Sequence, residues 1–178
     1  VGRFFMWKNF YNNSEEKMEV QKSPIEVTDN GDGTKTVKNV EDGYEVTVEN
    51  ELNVDSVNGR LSVFSKDNSD NVLPDLSFTL QKTDKTSALN FFNEEFNKLG
   101  DKGLKTEELL NFDLDGLNID YIKVDYKNSE WPSNGEMVYI YHFIINEQNF
   151  ILVDTSFDES ILKNNVSKIK SFISSIKN

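Results

Sequence analysis

Apolar and polar positions change period along this chain, and the changes mark its elements. Tyr44, Val46 and Val48 alternate with Glu45 and Thr47, while Leu76, Phe78 and Leu80 alternate with Ser77, Thr79 and Gln81. Alternation at period two predicts strands with one buried face. Short alternating runs at 25–28 and 35–38 flank Asp29-Asn30-Gly31-Asp32-Gly33 and predict a hairpin with a glycine-bearing loop. Val57-Asn58-Gly59-Arg60 predicts a turn ahead of Leu61-Ser62-Val63-Phe64, and Leu52-Asn53-Val54 reads as the Tyr44 strand continued past a bend. Asp115-Gly116 predicts a tight turn between runs 109–114 and 118–126.

The run Met137–Ile145 differs from these. Tyr139, Tyr141, Phe143 and Ile145 fall on one side and Val138, Ile140 and Ile144 on the other, so both faces are apolar. That pattern belongs to a strand in the middle of a sheet, covered on both faces. A polar break at 146–149 and the apolar run 150–153 make it one arm of a central hairpin. Two stretches switch to helical period. In 86–99 Leu89, Phe92, Phe96 and Leu99 share a face, with Thr86 or Ser87 as N-cap and Gly100 and Gly103 as the stop. In 158–176 the stripe is Leu162, Val166, Ile169, Phe172, Ile173 and Ile176, preceded by a Ser156–Glu159 capping box. Layer logic gives an α+β fold: an antiparallel sheet of about six to eight strands packed with two main helices.

The order and local sequences resemble the PsbP-like proteins and their DcrB-type bacterial relatives, which share the Mog1/PsbP-like α/β/α sandwich. The residues that carry the likeness are Tyr44-Glu45-Val46-Thr47-Val48, the run 76–80 ahead of the helix, the Asp115-Gly116 hairpin with Tyr121, the aromatic strand 139–143, and 150–155 leading to the last helix with Phe172 and Ile176. The likeness covers about residues 43–178. It divides the chain into an N-terminal extension, 1–40, holding the hairpin 25–38, and a domain, 41–178. Where such domains often carry Pro and Trp soon after the first strand, this chain has Glu49-Asn50-Glu51-Leu52. The resemblance implies a non-catalytic domain held outside the bacterial membrane, in the manner of a lipoprotein, with its anchor or signal upstream of Val1. Plant and cyanobacterial members assist the oxygen-evolving machinery, but no metal-site signature accompanies the likeness here.

Composition narrows the function further. The chain has 19 Lys plus Arg against 31 Asp plus Glu, a net charge of −12, spread evenly over its two halves. With no basic face to neutralise phosphates, nucleic acid is excluded as a partner, and a protein with a basic surface is favoured. Cysteine is absent, which removes disulfides, thiolate catalysis and Cys-ligated metal sites. No apolar run reaches the ~20 residues of a membrane span. The Asn- and Lys-rich composition resembles that of proteins from a low-GC Gram-positive bacterium. The aromatic segment 2–11 reads as a strand or tail, or as an interfacial anchor.

Chemistry-bearing residues are few. Asp29 and Asp32 lack the calcium-loop spacing, since Gly31 stands at position three and Val40 at position twelve. Neither a Gly-x-Ser-x-Gly elbow nor a phosphate loop is present. No cofactor is implied. Trp131, Tyr126 and Pro132 form a candidate aromatic platform for a protein or sugar partner. The rival reading is a hydrolase or metal-dependent enzyme centred on His142, the sole imidazole, with Asp154 and Asp125 as its carboxylates.

Overall fold

The structure, a computed structural model, describes residues 24–65, 76–95, 105–106, 110–114, 116–125, 137–154 and 159–177. Eleven strands and two helices are described there: β1 Ile25–Asp29, β2 Thr34–Asn39, β3 Tyr44–Glu49, β4 Asn53–Val57, β5 Arg60–Phe64, β6 Ser77–Thr83, α1 Ala88–Glu95, β7 Lys105–Thr106, β8 Leu110–Leu114, β9 Leu117–Asp125, β10 Met137–Ile145, β11 Gln148–Asp154 and α2 Glu159–Ser174. They form an α+β sandwich. The main sheet has eight antiparallel strands in the order β4-β5-β6-β11-β10-β9-β7, with β8 also on β9. The hairpin β10–β11 lies at its centre, as its two apolar faces require.

Each face of that hairpin meets a different layer. Tyr139, Tyr141, Phe143, Phe150 and Leu152 face one way, into a core shared with Val37, Tyr44, Val46 and Val48 of β2 and β3 and Ile169, Phe172, Ile173 and Ile176 from the C-terminal end of the chain. Val138, Ile140, Ile151 and Val153 face the other way, under Ala88, Phe91 and Phe92 of α1. Side chains such as Phe143, Phe150 and Ile140, none of them exposed, each contribute about 1.5–3 kcal/mol on burial.

Strands β1–β3 make a separate three-stranded sheet. The expected continuation of the Tyr44 strand through Leu52-Asn53-Val54 does not occur. The Leu52 N–H donates to the Glu49 carbonyl at 3.1 Å, and Lys35 Nζ donates to the Leu52 carbonyl at 2.5 Å. This turn ends β3, and the chain crosses to the main sheet as β4. Asn39, fully buried, donates to the Tyr44 hydroxyl and the Gly59 carbonyl, both at 3.3 Å, and the Tyr44 hydroxyl donates to the Leu80 carbonyl at 3.3 Å. These bonds tie the small sheet to the main one. The outer edge of β3 is closed by the chain just after α2: Glu45 and Lys177 exchange backbone hydrogen bonds at 2.9 Å, and Ser175 Oγ accepts from the Thr47 N–H at 2.9 Å.

The two helices differ from expectation in detail. In α1, Ser87 is the N-cap, its Oγ accepting from the Asn90 N–H at 3.0 Å. Leu89, expected on the buried face, is 38% exposed, while Ala88, Phe91 and Phe92 are buried. The reason is the anchoring of the Ala88 N–H on the sheet, described below, which fixes the rotation of the helix. Phe96, Leu99, the capping box at 156 and the segment 1–23 lie outside the described residues, and in α2 the side chains of Leu162 and Val166 do too. The short strand β7 was not foreseen, because two residues carry no period.

The β10–β11 turn places Asn146 at φ 48° and Glu147 at φ 65°, both left-handed, as a two-residue hairpin of matching twist demands. For a non-glycine residue this costs about 1–2 kcal/mol. Glu147→Gly is therefore expected to stabilise the protein by about 0.5–1 kcal/mol, read as a higher thermal midpoint; a lower midpoint would contradict the strain.

Candidate functional site

His142 sits on the α1 side of the main sheet, in the middle of a polar row that crosses three strands. In the register it is opposite Asp120 on β9 and opposite Ile151 on β11, which places Asn149 diagonally beside it on the same face. Its Nδ1 lies 2.5 Å from Asp120 Oδ1 and its Nε2 lies 2.9 Å from Asn149 Oδ1. Both ring nitrogens thus face acceptor oxygens, an arrangement that suits the doubly protonated imidazolium. Burial works against the charge, but the hydrogen bonds to Asp120 and Asn149 and the negative charge of Asp120 together raise the pKa above the ordinary histidine value. The second oxygen of Asp120 accepts from the Ala88 N–H at 2.8 Å. One carboxylate therefore holds the imidazolium and the first N–H of α1, where the positive end of the helix dipole favours it. Around this row stand Lys85, paired with Asp84 at 3.0 Å and with Glu94, and Thr83, opposite Asn149.

The sequence-derived partners of His142 are not the ones the fold supplies. Asp154 is opposite Tyr139, so it points to the other face of the sheet. A single residue of parity separates it from His142, and the sheet stands between them. Asp125 pairs with Met137 at the far end of β10. Trp131, Tyr126 and Pro132 lie outside the described residues. Among the described residues no group of three or more His, Asp or Glu is placed to hold a metal ion. The loop carboxylates Asp29 and Asp32 instead hold their own turn, accepting from the Gly31 N–H at 2.8 Å and the Thr34 N–H at 2.9 Å.

Asp120 and Asn149 went unnoticed in the sequence for identifiable reasons. Asp120 shares a face with Ile122 and Val124, and a lone carboxylate on an apolar face is a signal for a buried partner. Which residue it meets depends on the β9–β10 register, and that is set across the long connection 126–136. Asn149 read as part of a polar turn, whereas the turn is only Asn146-Glu147.

Asp154 is the second unusual group. It is 1% exposed, and neither of its oxygens has a hydrogen-bond partner among the described residues. Burial pushes its pKa up to about 7.

No protein-family model matches the sequence, and no curated protein matches it. Among solved structures, the solution structure of cyanobacterial PsbP (CyanoP) from Synechocystis sp. PCC 6803 is similar, with a TM-score of 0.52 over 84% of this chain and 96% of that one. The fold is PsbP-like. At 16% identity the likeness lies in the arrangement of elements. The PsbP-like frame extends over nearly the whole length of that relative.

Two pH effects follow, with the same sign. His142 and Asp154 both have higher pKa values folded than unfolded, so the native state holds their protons more tightly. Their contributions are full below the unfolded values, 6.5 and 3.8, and are lost as pH rises through the folded ones. Stability should fall from about pH 4 to 7 through Asp154 and further through His142. Asp154→Asn should flatten the first part and gain about 1–3 kcal/mol at pH 8, measured by urea unfolding across pH; an unchanged pH slope would refute the assignment. Asp120→Asn should bring the His142 titration down, followed by its ring resonances. Asp120→Ala should cost about 2–4 kcal/mol, because it strips both the imidazolium and the α1 terminus of their acceptor; a loss under 1 kcal/mol would show that neither depends on it.

Proposed function

We propose that this chain is a non-catalytic accessory domain, held at the outside of a bacterial cell membrane in the manner of a DcrB-type lipoprotein, that binds a protein partner with a basic surface. The observation that carries the reading is the closed shell of His142. Its two nitrogens are engaged by Asp120 and Asn149, so it presents no lone pair to a substrate or a metal, and its 4% exposure keeps it from solvent. The imidazolium instead acts as a structural bolt between β9, β10, β11 and α1. The PsbP-like fold and the net charge of −12 support an accessory role and a cationic partner surface.

The test has two arms. Fractionation of cells expressing the full-length gene should place the protein in the membrane fraction, accessible to protease added outside; recovery in the cytosol would overturn the location. Binding to envelope proteins should weaken as salt is raised, and His142→Asn should leave it unchanged while lowering stability. Catalytic turnover that disappears in His142→Asn would overturn the reading instead.

A further inference from the structure

The small sheet β1-β2-β3 has two edges, and they differ. The chain after α2 closes the outer edge of β3, where Glu45 and Lys177 exchange backbone hydrogen bonds. The other edge is β1, and no described strand pairs with its outer side. The Val40 N–H donates to the Pro24 carbonyl at 3.2 Å, and the Asn30 N–H donates to the Thr34 carbonyl at 3.0 Å. Those two bonds set the alternation between them. Glu26 and Thr28 face β2, so the N–H and C=O groups of Ile25, Val27 and Asp29 point outward. Glu26, Val27, Thr28 and Asp29 are all exposed.

The side chains point the same way. Val27 is in register with Val37, and Val37 with Val46. The two inner valines are wholly buried, whereas Val27 is 51% exposed. Bare strand edges are usually guarded, and β4 at the edge of the main sheet shows such a guard. The two-residue turn Asn58-Gly59 makes Val57 and Arg60 a hydrogen-bonded pair, so Ser56 faces away from β5. The Asp55 carboxylate accepts from that Ser56 N–H at 2.9 Å. The Val27 N–H makes no such bond among the described residues.

We infer that β1 is a docking edge, to which an extended basic segment of a protein partner adds as an antiparallel fourth strand. The added strand takes up the outward groups of Ile25, Val27 and Asp29 and covers Val27. Charge selects this occupant. β1 carries Glu26 and Asp29 and no cation of its own. Lys35, opposite Asp29, directs its Nζ to the carbonyls of Leu52 and Asn50 instead. A net charge of −12 sets a second copy of this chain against the first and favours a cationic segment. The inner edge of β1 already displays the complement, because Lys35, Val37 and Lys38 of β2 stand opposite Asp29, Val27 and Glu26. The partner segment repeats that pattern, with basic residues flanking an apolar one. This inference rests on the protein-binding reading above.

The probe is a capped synthetic peptide of the sequence Thr34–Asn39, which carries the pattern. Titrated into the intact protein, it is expected to bind saturably, shifting the amide resonances of Ile25, Val27 and Asp29. Hydrogen exchange at the Val27 amide should slow by about tenfold or more. The dissociation constant should rise about three- to tenfold as salt is raised from about 50 to about 300 mM. Val27→Pro removes an outward N–H and no bond to β2, so it should abolish binding while far-UV circular dichroism stays that of the folded protein. The same peptide with Val37→Pro keeps its charge and should not bind wild type. Equal binding by either proline variant overturns the inference, because charge alone then accounts for the association. Protection of the Val27 amide without peptide overturns it too: at every dilution, it shows an edge closed within the chain, and rising with protein concentration, it assigns the edge to a second copy. Envelope proteins bound by a chain that ignores the peptide would overturn the edge and leave the accessory reading. Peptide binding by a protein recovered in the cytosol would support the edge and remove the location.

Discussion

A strand with two apolar faces cannot be covered by one layer, and β10 is such a strand. Tyr139, Tyr141 and Phe143 demand one covering layer, and Val138 and Ile140 demand another. The rest of the fold supplies them. The small sheet β1–β3 and the C-terminal end of the chain cover the first face, and α1 covers the second. Covering both sides removes more apolar area from water than any single hydrogen bond is worth, at roughly 25 cal/mol per Å², so this burial organises the remaining contacts.

The coverage by α1 begins at Ala88, and where it begins decides where polarity enters. Along β10 the α1 face reads Val138, Ile140, His142, Ile144. The first two are buried under the helix, and Ile144 is 50% exposed beyond its N-terminus. His142 stands at the margin. A polar group at such a boundary needs its partners within the sheet, and the register provides Asp120 and Asn149 on the flanking strands. Asp120 then serves the helix terminus as well, which links the orientation of α1 to the charge state of one imidazole. The protein thereby uses its sole histidine to join three strands and a helix.

The opposite face shows a different solution. There Asp154 interrupts an aromatic layer without a partner among the described residues, a departure from the rule that buried charge is paired. Sites where a folded chain tolerates such a cost are commonly sites of function. Two buried ionisable groups on opposite faces of the same hairpin thus have opposite characters, one engaged at both ring nitrogens, the other without a hydrogen-bond partner among the described residues.

The sequence by itself determined the class of fold, the central place of the β10–β11 hairpin, the turns at Asn58-Gly59 and Asp115-Gly116, and both helices. These depend on local periods and on turn residues whose conformational preferences act within a few bonds. It could not determine which carboxylate meets His142. Alternation places Asp120 and His142 on some face of their own strands, but only the pairing of β9 with β10 brings those faces together. The same limit produced the pairing of His142 with Asp154, which a difference of one residue in register would have allowed. The rotation of α1, with Phe91 inward and Leu89 outward, was likewise set by a bond from Ala88 to a strand 32 residues away. Local sequence fixes period and face; long-range register decides which faces and which charges meet.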